Sequence, residues 1–443
     1  MKKVLVISYD FPPVVNAGSL RALKFAKYFK RFGWEPVVIT STPKTYYFRD
    51  ENLLEDAVKN GVSVLRTKGP EVNLLTGSKL KSVPNEKTRK FVRNFRRLIN
   101  IPDEYRSWIP KAVKLASDVI ESGNVEIIYA YAPPFSVFIA ASELKQKYKI
   151  PLVADYGDSW LYSHSSFIPS AFYRLRNIRL EQELIRNADE IITVNRRIKE
   201  YLIGEYDYLK HQDIDVINYG YDPEDFRRGE TVYSDRNGKK MKITYTGNFF
   251  DLAAPEYFLK ALAIVFSRNP ELRGKIEVCF VGGMSKENLV QIRNNNLMDV
   301  VFNPGFVSHS DALRYMTDSD VLWFTVLNGK GSETCSPYKL AEYIGSAKPL
   351  LACVGEGASK QILKNHGAVK FCDPDNPDMI ADMITEFYEL YEKRMMPSAS
   401  PDILSRFNIE LLTRELVKRF EFLRDVKTGF GIKSTAGHSG LPH

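Results

Sequence analysis

Long apolar runs are missing from this 443-residue chain, as are the cysteine and histidine spacings that metal or disulfide chemistry needs. No stretch reaches the ~18 uninterrupted apolar residues of a membrane span. The N-terminal run Val4 to Ile7 is too short for the hydrophobic core of a signal peptide. The four cysteines, Cys279, Cys335, Cys353 and Cys372, show neither a CxxC pair nor a neighbouring histidine. That argues against a zinc site or a disulfide framework and predicts free thiols in a reducing, cytoplasmic compartment. An acidic excess is lacking too: 62 Lys and Arg outnumber 54 Asp and Glu by 8. A basic chain is drawn to anions of every kind, so the sign alone does not choose a partner.

What is present is a repeated alternation of short apolar runs and helical stripes. Val4 to Ser8 and Pro36 to Thr40 read as buried strands. Between them Ala22, Phe25, Ala26 and Phe29 fall on one helical face, and a βαβ unit results. The pattern recurs at Ile127 to Ala130, in a helix from Phe135 to Lys147, and at Pro151 to Ala154, Glu190 to Val194 and Asp215 to Asn218. The polar segment Arg227 to Lys240, with its Asn237-Gly238 pair, reads as the main linker. Beyond it strands are predicted at Lys242 to Thr246, Glu277 to Val281, Val321 to Thr325, Leu350 to Cys353 and Val369 to Phe371. Two doubly wound α/β domains in tandem follow, about 1–226 and 241–400. A last helix, Asn408 to Leu423, covers a core, and 428–443 is a tail too polar to bury anything.

In open α/β folds ligands bind outside the carboxyl ends of the strands, so the loops there carry the candidate site. The first, Tyr9 to Ser19, places Asn16 and Gly18 at a helix start, where backbone N–H groups receive anions; a plain turn with Ser19 as cap is the structural alternative. The second, Asp155-Tyr156-Gly157-Asp158-Ser159-Trp160, sets two carboxylates beside an aromatic plate suited to sugar hydroxyls, with His164 close behind. Both aspartates also suit turns, and a lone histidine is more often structural. Gly247 and Asn248 end the first strand of the second domain, where the glycine could admit a phosphate. In Gly331 to Tyr343, Pro337 suits a first helical turn, which makes the Cys335-Ser336 side an anion-receptive helix start. Lys339 aims one charge at the same anion. Glu342, three residues on, can accept hydrogen bonds from a ribose diol, although such a pair is also a common structural bridge. Asp318-Ser319-Asp320 has the look of a metal-binding triplet but suits a turn better, and no metal is expected.

The charge excess concentrates in Lys79 to Arg97, where Phe91, Phe95 and Leu98 share a face opposite Lys87, Arg89, Lys90, Arg93, Arg96 and Arg97. Such a helix either packs on its own domain or lies on an anionic membrane surface.

These segments together resemble the retaining group-1 glycosyl transferases of GT-B fold. The residues that carry the likeness are VLVISYDFPPVVNAGSLRALKFAKYF, ADEIITVNRRIKEYL, VINYGYDPEDF, ITYTGNFF, VVFNPGFVSHSDALRYMTDSDVLWF and SPYKLAEYIGSAKPLLA. The resemblance implies two Rossmann-like domains facing across a cleft, an acceptor-binding first domain, a nucleotide-sugar-binding second domain, and a final helix, 408–424, crossing back to the first. It implies no resident cofactor, since the nucleotide-diphosphate sugar is a substrate. Glu342 matches the second glutamate of a Glu-x7-Glu motif, which holds the ribose. The first glutamate falls on Thr334, with Glu333 adjacent and expected to serve the transferred sugar. The cations that usually follow the glycine matching Gly247 are missing, so Lys339 or Lys330 is expected to face the diphosphate. Gly157 stands where one branch of the family carries arginine. Asp158, Lys339 and Glu333 are the expected catalytic residues, and Asn16, Tyr131, Trp160 and His164 are assigned to the acceptor. The partners expected are the donor, a glycan or lipid-linked acceptor and an anionic membrane surface at the inner face of the plasma membrane, not nucleic acid. A catalytically silent module of the same fold, binding glycan or nucleotide, is the competing expectation.

Overall fold

Parallel strands covered on both faces must be apolar throughout, and Val4, Leu5, Val6 and Ile7 are completely buried for that reason. The computed structural model describes residues 2–43, 48–68, 100–164, 166, 168–227, 240–249 and 252–427. The first sheet contains β1 (Lys2–Ile7), β2 (Trp34–Ser41), β3 (Ser63–Thr67), β4 (Val125–Ala132), β5 (Leu152–Tyr156), β6 (Glu190–Thr193) and β7 (Ile214–Val216). Its order is β3-β2-β1-β4-β5-β6-β7, every neighbouring pair parallel. The second contains β8 (Met241–Thr246), β9 (Ile276–Val281), β10 (Val301–Gly305), β11 (Val321–Val326), β12 (Leu350–Val354) and β13 (Val369–Cys372), in the order β10-β9-β8-β11-β12-β13 and again parallel. In each sheet the strand order reverses at its first strand, β1 or β8, which is where an open parallel sheet leaves a crevice.

Two strands, β3 and β10, escape the sequence pattern. Both are sheet edges with only partial burial, and SVLRT and VFNPG therefore lack an uninterrupted apolar run. The polar linker and the tail lie outside the described residues, save the linker's ends at 227 and 240, and so does the basic segment from Lys79 to Arg97.

The helix Ala17–Phe29 begins at Asn16, whose side chain accepts from Ser19 N at 2.9 Å while Ser19 Oγ accepts from Asn16 N at 3.1 Å. Ser19 thus closes a reciprocal capping box rather than acting as the cap itself. Three cations of this helix point inward. Arg21 grips Asp155 at 2.7 and 3.0 Å and donates to the carbonyls of Ile217 and Asn218, which fixes the chain leaving β7. Lys24 and Lys27 both reach Asp222, at 3.2 and 2.9 Å, and pull its carboxyl well below the ordinary range despite burial.

The final helix, Ile409–Lys427, packs on the first domain. Phe420 lies 5.4 Å from Phe29 and 5.5 Å from Trp34 between ring centres, and Glu421 accepts from the Trp34 indole at 2.8 Å. Among the described residues no helix is long and apolar enough to cross a membrane.

Candidate active site

The loops following β1, β4 and β5 meet those following β8 and β11 around a cavity of about 640 Å³, a volume typical of small-molecule sites. Those after β1, β5, β8 and β11 are the loops expected from the sequence; the loop after β4, which brings Pro133, Pro134 and Phe135, is not among them.

On the second-domain side, Gly247 has a left-handed φ of +121°, and a β-carbon there would lie 2.7 Å from Lys339 Nζ. Lys339 donates to the Tyr245 hydroxyl at 2.6 Å, with its ammonium 3.9 Å from that ring's centre. It makes no ion pair among the described residues, and burial lowers its pKa to about 7. Asn248 accepts from Gly283 N at 2.7 Å and so ties the loop after β8 to that after β9. The helix carrying Lys339 spans Lys339–Gly345, starting two residues later than Pro337 suggested. Cys335 and Ser336 line the cavity ahead of it. Asn195, from the first domain, donates to Ser336 Oγ at 2.8 Å and to the Thr334 carbonyl at 2.9 Å, pinning this loop from across the cleft.

Glu342 also lines the cavity, paired at 2.7 Å with His309 Nε2. Burial pulls the imidazole of His309 down, but the Glu342 carboxylate outweighs it and the ring titrates above its ordinary value. The backbone N–H of His309 donates to Asp50 of the first domain at 2.7 Å. Neither His309 nor Asn195 stands out in the sequence, since each meets its partner only through the fold.

On the first-domain side, Asn16, Gly18, Tyr131, Asp158, Trp160 and His164 all line the same cavity. Asp158 accepts from Ser159 N at 2.9 Å and from the Ser163 hydroxyl; burial raises its pKa while neighbouring His164 opposes the shift. His164 Nδ1 is buried without a hydrogen-bond partner among the described residues. Tyr131 and Tyr219 join hydroxyls at 3.0 Å. A β-carbon at Gly18 would lie 2.9 Å from Tyr131 Cε1, and one at Gly157 only 2.0 Å from the Tyr131 hydroxyl. The Tyr131 phenol therefore takes up the space where an arginine at 157 would begin. Gly157→Ala is expected to displace this ring, lowering stability by about 1–3 kcal/mol, the usual range for overpacking, and reducing acceptor turnover. Thermal unfolding and steady-state kinetics check it.

Three expectations are corrected. Glu333 does not enter the cleft: Ser332–Thr334 is a 3₁₀ turn in which successive side chains point ~120° apart, so Thr334 faces the cavity and Glu333 turns away. Its carboxylate accepts from Tyr201 at 2.6 Å and lines a separate cavity of about 410 Å³. Lys330 is exposed and does not line the cleft. Trp160 is no open plate: it is 4% exposed, stacks on Phe135 at 4.5 Å and donates its indole N–H to Asn177 at 2.9 Å. The carboxylates of Asp318 and Asp320 are engaged by Lys242, at 2.6 Å through Nζ and 2.8 Å through the backbone N–H.

Two doubly wound parallel-sheet domains closed over one cleft are the GT-B architecture. Residues 19–225 match the family described as Glycosyltransferase Family 4, and residues 231–400 match Glycosyl transferases group 1. The chain belongs to the group 1 glycosyl transferases. It is similar to a D-inositol 3-phosphate glycosyltransferase of Frankia alni, 32% identical over 117 residues, which are 25% of this chain and 28% of that protein. The crystal structure of a glycosyltransferase from Rickettsia africae ESF-5 resembles it with TM-score 0.65 and 15% identity, over 95% of this chain and 98% of that one. A trehalose-6-phosphate structure from E. coli bound with UDP-2-fluoro glucose resembles it with TM-score 0.62 and 10% identity, over 95% and 99% of the two chains.

Proposed function

We propose that this protein transfers a sugar, with retention, from a nucleotide-diphosphate sugar to an acceptor hydroxyl, independently of metal. The observation that carries the reading is the half-buried ammonium of Lys339 beside Gly247, inside a cavity shared by both domains. A diphosphate placed there meets one charge and the polar loops around Asn248 and Ser336, while Glu342 receives the ribose diol. As the bond from C1 to the diphosphate oxygen breaks, negative charge grows on the leaving group, and a preorganised cation stabilises that state more than the ground state. The acceptor oxygen bonds to C1 on the same face, its proton passing to the departing phosphate; Asp158 and His164 orient that hydroxyl. Supporting the donor assignment, the E. coli neighbour was solved with UDP-2-fluoro glucose.

The test is a thermal-shift and turnover screen over nucleotide sugars, because a ligand that binds only the native state raises its stability. At least one donor is expected both to stabilise the protein and to be consumed when acceptor is present. The competing reading, a silent binding module, is favoured by Thr334, whose buried side chain puts no carboxylate where the first motif glutamate would stand. Binding without turnover of any donor would decide for it.

The basic, aromatic segment Lys87 to Arg97 further supports a membrane-proximal glycan or lipid-linked acceptor, as in bacterial surface-polysaccharide assembly. Sedimentation with anionic vesicles is expected at low salt and to weaken at high salt. Binding unaffected by salt, or by replacing Arg93, Arg96 and Arg97, contradicts that role.

A further inference from the structure

Charge is divided unevenly across the cleft. The second domain supplies an ammonium, Lys339, together with one carboxylate, Glu342, which is paired with His309. The first domain supplies carboxylates: Asp10, Asp103 and Asp158 all line the cavity, and no lysine or arginine of that domain does among the described residues. Two arginines of that domain are held in ion pairs. Arg21 is 1% exposed and bound to Asp155, and Arg174 is paired with Glu205 at 2.8 Å.

The carboxylates are also fixed in place. Asp103 accepts from Ser136 N at 2.9 Å, from the Ser136 hydroxyl at 2.6 Å and from Tyr105 N at 3.0 Å; Asp10 accepts from Asn16 Nδ2 at 2.7 Å. Between them the wall is apolar, formed by Pro102, Tyr105, Pro133, Pro134, Phe135 and Ile168. A phosphate here would be desolvated against fixed negative charge, with no lysine or arginine among the described residues of this wall to pair with it.

We propose that the acceptor moiety entering this end of the cleft is uncharged and presents an apolar face: a neutral glycoside rather than a sugar phosphate. Its hydroxyls meet Asp10 and Asp158 as acceptors, and its apolar face meets the Pro133–Phe135 wall. Any anionic group of a larger acceptor stays outside this cavity. The inference rests on the donor reading above and narrows it to a substrate class.

The experiment uses the full chain with the nucleotide sugar that gives the largest thermal shift, and measures nucleoside diphosphate release. Matched pairs are offered: 4-nitrophenyl glycosides, and the 6-phosphates of the same sugars. The neutral member is expected to have at least tenfold higher kcat/KM. Asp10→Lys should shrink that ratio, which a merely structural Asp10 would leave in place. A 6-phosphate used as well as its neutral partner, or in preference to it, overturns the inference; donor binding with neither member accepted marks the silent module and so fails the donor reading instead. If no nucleotide sugar shifts the melting temperature, the donor reading itself has failed, and the two failures are told apart.

Discussion

Lys339→Met is expected to lower kcat about 10²-fold, or ~2.7 kcal/mol, while raising the melting temperature. Both effects come from one placement. The ammonium lies half-buried beside Gly247 without an ion pair among the described residues, so the folded protein bears a poorly solvated charge whose counter-ion, on the proposed function, is the substrate. Losing one preorganised donor at a developing anion commonly costs ~10²–10³ in kcat. The stability change has the opposite sign. Because Lys339 titrates at about 7 in the folded state and at its ordinary higher value when unfolded, the unfolded chain binds more protons between those limits. Wild-type stability therefore climbs with pH across that window, and methionine removes the penalty present at its lower end. The gain in melting temperature should be largest below pH 7 and fade toward pH 10. A variant that loses activity together with stability would instead mark Lys339 as a packing residue.

Glu342 combines a proposed ligand role with a structural one, and two substitutions separate them. Glu342→Gln keeps the side chain's volume and a hydrogen bond to His309, yet weakens acceptance of a ribose diol. We expect at least a tenfold loss in kcat/KM, ~1.4 kcal/mol, with little change in unfolding. Glu342→Ala strands a buried imidazole, and breaking a buried pair costs ~3–5 kcal/mol. The pH dependence follows from His309, whose folded pKa lies above its unfolded value. The pair's stabilisation is complete below the ordinary histidine value and is lost as pH rises through the raised one. Denaturant titrations at pH 5.5 and 8.5 should thus show the alanine variant far more compromised at the lower pH. Equal losses at both values would mean that His309 is neutral throughout.

The parts of this site legible in the sequence are those fixed by local pattern. Val4 to Ile7 is a strand whose burial shows as an apolar run, and Met241 to Thr246 (MKITYT) one that shows by its β-branched and aromatic residues, so the loops beyond them can be placed from local pattern. Contacts made only by folding cannot. His309 reaches Glu342 across 33 positions, and Asn195 reaches Ser336 across 141. Glu333 departs from expectation for a different reason: adjacency in sequence is not adjacency in space here, because a 3₁₀ turn sends neighbours to different sides. Trp160 reads as a binding surface by residue type, but the ring of Phe135 stacked on it and the amide of Asn177 make it core.

The central claim is that a substrate diphosphate becomes the counter-ion of Lys339. Calorimetric titration with the stabilising nucleotide sugar, in buffers of different ionisation enthalpy, measures the protons taken up on binding. A diphosphodiester has no ionisation of its own near neutrality. At pH 8 an amine titrating at about 7 is mostly neutral before binding and charged afterwards, so uptake should approach ~0.9 proton and fall to ~0.1 at pH 6. Lys339→Met should abolish that difference. Binding with the same proton uptake in wild type and variant would contradict the account.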